Sequence, residues 1–204
     1  MSDAKSKPAK APDGITPSQT VGPYYAYGLT PRGHYPWRDQ FADPVATADA
    51  EGTRLTIVGT IFDGDGKPVS DAMIEIWQAD SSGRYAHPRD SRARANSSFK
   101  GFGRCGTSKS GDFAFETIKP GSVPGPGGKP QAPHIVVCVF SRGMLRHLYT
   151  RIYFPEETVA NAADAVLALV PADRRGTLIA HRDGAAYRFD IRIQGADETV
   201  FFDV

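Results

Sequence analysis

Ile135, Val136, Val137, Cys138, Val139 and Phe140 form an almost unbroken apolar run directly after Pro133. Proline has no N–H to give a ladder and suits the first position or the edge of a strand. The β-branched residues that follow predict a strand over residues 134–140, buried on both faces. His134 opens the run and Arg142 stands just beyond it, so each polar end lies where a buried sheet meets a cleft. Residues two apart share one face of a strand, about 6.6 Å from each other. A metal site on this strand would place a second histidine at position 136, beside His134, and the chain has Val136 there.

The rest of the chain reads as short strands joined by turns. Alternating or apolar segments at 54–62, 72–79, 113–118, 147–154 and 187–194, with a last one at 199–202, read as strands. Asp63-Gly-Asp-Gly66, residues 80–83 and residues 109–112 supply turn chemistry between them. Residues 84–104 read as a long polar loop and residues 123–130 as a Gly/Pro loop. A helical period appears only over 156–169, with a second short stretch over 172–179. Eight or so short strands with little helix predict an all-β fold, a β-sandwich.

Residues 1–14 carry almost no large apolar side chain and read as a flexible tail. Residues 15–50 form an extended, aromatic-dotted arm, because Pro17, Gly22 and Pro23 interrupt any helix at its start. Residues 51–204 form the sandwich core. Such an arm lies either on its own domain or on a partner, and composition does not separate the two.

Lys+Arg 24 against Asp+Glu 23 leaves a net charge of +1, which argues against a nucleic-acid footprint or a polybasic membrane surface. The longest apolar run is far short of the roughly 18 residues a membrane helix needs. No apolar stretch follows Met1 as a secretion signal requires. Cys105 and Cys138 have neither C-x-x-C spacing nor a secreted framework. A cytoplasmic protein with two reduced thiols is expected.

The chemistry visible in the chain alone is sparse. His34, His87, His134, His147 and His181 show no metal-binding spacing, and a lone strand-end histidine is more often structural than a ligand. Gly-x-Ser-x-Gly is absent, and neither cysteine has an evident base partner. No catalytic residue is assigned to this chain by itself.

Its motifs, however, resemble one family over residues 15–204 and in matching order. Thr16-Pro-Ser-Gln-Thr-Val-Gly-Pro-Tyr24, Glu75-Ile-Trp-Gln-Ala-Asp80, Gly83-Arg-Tyr85, Phe102-Gly-Arg104, Thr117-Ile-Lys-Pro-Gly121, Ala132-Pro-His-Ile135, Tyr187-Arg-Phe-Asp-Ile191 and Glu198-Thr-Val-Phe-Phe202 are similar to the intradiol ring-cleavage dioxygenases. That family is itself a β-sandwich. Its catalytic chains hold a non-haem Fe(III) through two tyrosinates and two histidines, hard anionic oxygens suiting a highly charged ion. Carried over by motif, the tyrosines match Tyr85 and Val123 and the histidines match His134 and Val136. Two of four ligands are thus aliphatic. The resemblance implies a metal-free alpha chain, with Tyr85 and His134 as remnants that hydrogen-bond each other or water.

It further implies a large alpha–beta assembly in which the beta subunit carries Fe(III) and the substrate pocket lies between the chains. The implied reaction is intradiol cleavage of 3,4-dihydroxybenzoate by O2 to 3-carboxy-cis,cis-muconate, in the beta-ketoadipate route of aromatic catabolism. In that pocket Arg142 would meet the substrate carboxylate, and Thr20, Gly22, Pro23 and Tyr24 would form a wall. The rival expectation is a non-enzymatic β-sandwich of the same descent, serving as a binding or scaffold protein.

Overall fold

In the computed structural model, residues 19, 20, 22, 25–30, 44–93 and 98–204 are described. The expected tail (1–14), most of the arm, and Pro23 and Tyr24 lie outside them. The order of elements is α1 (Tyr25–Leu29), β1 (Arg54–Phe62), β2 (Met73–Gln78), β3 (Phe102–Gly106), β4 (Asp112–Ile118), β5 (Val123–Pro124), β6 (Pro130–Gln131), β7 (His134–Phe140), β8 (Leu148–Tyr153), α2 (Thr158–Ala163), β9 (His181–Asp183), β10 (Ala186–Arg188) and β11 (Ile191–Arg192). Among the described residues, no helix is long and apolar enough to cross a membrane.

Two sheets carry the fold. One runs β11-β1-β10-β9, with β4 also paired to β1, and the other runs β3-β2-β7-β8. Their inner faces meet in a single apolar core. Ile57, Ile61, Phe113, Phe115 and Ile191 from the first sheet pack with Ile74, Ile76, Ile135, Val137, Val139 and Ile152 from the second. This is the expected sandwich, built from strands whose alternate residues point inward.

Gln78 joins the layers by polar means. Fully buried, it donates to the Ile118 carbonyl at 2.9 Å and accepts from the Thr117 hydroxyl at 2.9 Å. Its buried amide is satisfied on both sides, as such groups must be.

Several expectations are corrected. Residues 25–29 form a short helix instead of irregular arm. The expected loop over 84–104 ends in β3, whose glycine-rich sequence is extended because β2 pairs with it, Trp77 opposite Phe102. The segment 187–194 is split into β10 and β11, and residues 199–202 form no strand. Residues 123–131 are a small hairpin, with Val123 opposite Gln131.

The helical stretch 156–169 stops at Ala163. Asp164 leaves helical geometry with ψ 122°, and its carboxylate accepts from the Val166 and Leu167 amides at 2.9 and 2.8 Å. A side chain that competes for nearby amides breaks the helix it sits in. The stretch over 172–179 is only a 3-10 turn at Arg175–Leu178. Cys105 points into the core, while Cys138 lies on the opposite face of the second sheet. Burial pushes the Cys138 thiol up to about 11, and the Glu75 charge adds to the effect.

Two loops close against each other above the second sheet. Gly83 has φ +73°, and a Cβ there would sit 1.8 Å from the Ser122 carbonyl oxygen. Backbone thus packs on backbone between the Tyr85 loop and the Val123 loop. Gly83→Ala is expected to cost about 3 kcal/mol of stability, since both the left-handed conformation and the contact forbid a methyl group. Denaturant unfolding of the two proteins checks this, and a loss below about 1 kcal/mol would mean that the loops part easily.

Candidate functional site

The second sheet turns one face to the core and the other outward. On the outward face Trp77, Val136 and Arg151 stand side by side, because Trp77 pairs with Val136 and Val136 with Arg151. The next rung along places His134 opposite Tyr153. This is the region where the resemblance puts the metal ligands.

Tyr85 is delivered there by a turn built on Asp80. The Asp80 carboxylate accepts from the Ser82 and Arg84 amides, both at 2.9 Å, and pairs with Arg84 Nε at 3.1 Å. Asp90 then accepts the Tyr85 amide at 2.9 Å. The Tyr85 ring stacks on Trp77, 5.9 Å between centroids and 5° from parallel. Burial raises the Tyr85 pKa, the neighbouring Arg151 opposing the rise. A phenol so placed stays protonated.

His134 is held differently. Its Nδ1 lies 2.7 Å from the Ala132 carbonyl, so in the neutral ring Nδ1 carries the proton. Burial, reinforced by the Arg151 charge, lowers its pKa to about 4. Of the two arrangements the resemblance implied, a bond to each other or to water, the bond between Tyr85 and His134 is not formed. Tyr85 belongs to an aromatic stack, and the His134 Nδ1–H is committed to backbone.

Do these residues suit ferric iron? Val123 and Val136 are 3% and 8% exposed, aliphatic and packed. The remaining donors are one protonated phenol and one imidazole, and a guanidinium stands among them. A trication needs anionic oxygen to offset its charge; these donors supply none, and the neighbouring Asp164 carboxylate is already taken by three backbone amides and the Tyr153 hydroxyl. The site does not fit the metal.

A second constellation lies at the end of β7, and it draws together residues far apart in sequence. The Thr20 hydroxyl oxygen accepts the Gly143 amide at 3.0 Å. The Gly22 carbonyl accepts the Tyr25 amide at 3.2 Å, and the Tyr25 hydroxyl donates to the Asp71 carbonyl. The Asp71 carboxylate in turn takes the Arg142 Nε. Burial first, and the Asp71 charge second, push Tyr25 up to about 12, so it remains a donor.

The arm, the loop before β2 and the loop after β7 thus meet around Arg142, whose side chain is 65% exposed. Arg142, Gly143 and Asp71 line an open cavity of about 550 Å³ with Val69 and Ile193. Of the expected site residues, Thr20 and Arg142 are brought to one place. Gly22 is exposed, and a Cβ there would meet nothing within 4 Å, so this chain by itself does not require glycine at that position.

Three participants were not foreseen. Asp71 shows only as a loop acid before a strand, and Trp77 only as one residue of a strand pattern. Arg151 did carry a signal, a cation in the middle of an apolar alternating strand, but its meaning needs the register that sets it beside Val136.

Known proteins resemble the chain over most of its length. A family model described as "Dioxygenase" matches residues 20–195. The protocatechuate 3,4-dioxygenase alpha chain of Burkholderia cepacia is 51% identical over 197 residues, covering 93% of this chain and 97% of that one. The beta chain of the same name and organism is 35% identical, covering 86% and 77%. The dioxygenase domain of a carbohydrate-binding fusion protein from Streptomyces sp. SirexAA-E aligns with TM-score 0.53 at 24% identity, over 89% of this chain and 100% of that one. That likeness speaks for the fold. On the family match and the two bacterial relatives together, this chain belongs to the intradiol ring-cleavage dioxygenase family.

Proposed function

We propose that the chain is the alpha subunit of a protocatechuate 3,4-dioxygenase, holding no iron and completing the substrate pocket of a beta subunit that holds Fe(III). The observation that carries this reading is the pair of buried valines, Val123 and Val136, at two of the four ligand positions. The much higher identity to the alpha chain, 51% against 35% for the beta chain, supports the same assignment.

In this reading the complex adds both atoms of O2 to 3,4-dihydroxybenzoate, giving 3-carboxy-cis,cis-muconate in cytoplasmic aromatic catabolism. The ferric centre of the beta subunit supplies the activation of substrate. This chain supplies orientation. Arg142 meets the substrate carboxylate at the mouth of the cavity, because a guanidinium fork matches a carboxylate bidentately. Asp71 engages its Nε edge and fixes the direction of the fork. Thr20, through Gly143, ties its segment to the same loop, and in this reading Thr20 and Gly22 belong to the wall beside the substrate. Residues 15–50 are then an arm shared with the partner, and residues 51–204 are the supporting sandwich.

Expression alone and together with a homologous beta chain tests the proposal. The isolated chain is expected to be colourless, free of iron and inactive. The co-expressed complex is expected to be red-brown from tyrosinate–Fe(III) charge transfer, to contain iron in proportion to the beta chain, and to consume O2 with 3,4-dihydroxybenzoate. Stoichiometric iron in the isolated chain would overturn the reading. So would a beta chain whose activity is the same without this chain, the outcome a scaffold protein would give.

A further inference from the structure

We propose that Arg151 stands in for the missing metal, its guanidinium forming a fixed cation that bars metal ions from the remnant site. The register supplies the geometry. Arg151 starts on β8 directly opposite Val136, one of the two lost ligand positions. Its Nη1 ends 2.8 Å from Gln131 Oε1, and Gln131 is the residue directly opposite Val123, the other lost position. The side chain therefore spans from one missing ligand to the other.

Both remnants feel it. The same Nη1 lies 3.4 Å from the hydroxyl of Tyr153, whose ring is 5.8 Å from that of His134. Its charge also acts on Tyr85 and on His134, opposing the rise in one pKa and adding to the fall in the other.

The consequence is chemical. A metal entering a site commonly displaces protons from its ligands. Arginine cannot be relieved of its charge in this way, since its guanidinium stays protonated at any accessible pH. Loss of two ligands weakens metal binding, while a permanent cation between their positions repels what binding remains. In an enzyme that must place iron in one of two related chains, such a charge keeps the wrong chain empty.

This inference rests on the matching of Val123 and Val136 to ligand positions, and its test is separate from that of the subunit assignment. Two full-length variants are compared, Val123→Tyr/Val136→His and the same pair with Arg151→Gln added. Each is expressed alone, loaded with ferric iron, and assayed for iron content, visible charge-transfer absorption and affinity. The triple variant is expected to take up iron and colour, and the double variant to bind about a hundredfold more weakly. Arg151→Met in place of Gln should remove the barrier as Gln does, while Arg151→Lys, whose ammonium can give up its proton, should restore it only in part. Cooperative thermal melting confirms that each variant is folded, and the Met version serves if the Gln version is not. Equal affinity with and without Arg151 would overturn the proposal, as would failure of both folded variants to bind iron. Iron in the unmodified chain would instead sink the subunit assignment.

Discussion

Replacing Arg142 with alanine in the assembled alpha–beta enzyme should raise the Michaelis constant for 3,4-dihydroxybenzoate roughly ten- to a hundredfold. That range is what one charge-assisted pair is worth, about 1.5–3 kcal/mol. Iron content should not change, because the side chain is 65% exposed at the rim of a cavity and contributes no ligand. An uncarboxylated catechol has nothing for the guanidinium to hold, so its turnover should be nearly unaffected. Arg142→Lys should recover only part of the loss, since a point charge replaces a fork. Steady-state kinetics with both substrates, alongside metal analysis, decide the matter. Equal impairment of both substrates, or loss of iron with affinity intact, would refute the carboxylate role.

The largest effect on stability is expected at Asp164, which is fully buried. Its carboxylate accepts from the Ala132 amide at 2.8 Å, the Tyr153 hydroxyl at 3.2 Å and the Val166 and Leu167 amides. Asp164→Ala strands these donors in the interior and should cost about 4 kcal/mol or more. For a chain of this length that corresponds to a fall in Tm of roughly 10 °C. Asp164→Asn keeps one acceptor oxygen and should lose less. A loss below about 1 kcal/mol for the alanine variant would show that water replaces the carboxylate. The same residue secures the start of β7 through Ala132, so His134 should also lose its fixed orientation.

These two residues illustrate what a sequence discloses. Arg142 stands out in the sequence as the polar residue just beyond an apolar run, but its link to a substrate carboxylate came from the family resemblance and not from its position. Asp164 does not stand out, since it reads as one polar residue within an apparently helical stretch. Only the fold shows it reaching back across 32 positions to Ala132. Strands β1, β4 and β7 were plain because alternation or β-branched runs mark them by themselves. β3 and β9 were not, and for a common reason. Gly101-Phe-Gly-Arg104 and His181-Arg-Asp183 have little intrinsic preference for extension, and neighbouring strands hold them in the sheet. At the site, the motif resemblance singled out positions 123 and 136. Arg151 was not marked in this way, because its place beside Val136 is a property of pairing across strands.

The division of β7 into two faces has a lasting consequence. Ile135, Val137 and Val139 hold the sandwich together, while His134 and Val136 look away from it. Exchange of histidine for valine on the outer side leaves every inner contact in place. A change of side chain on the outer face of β7 can therefore alter the chemistry presented there without loosening the core.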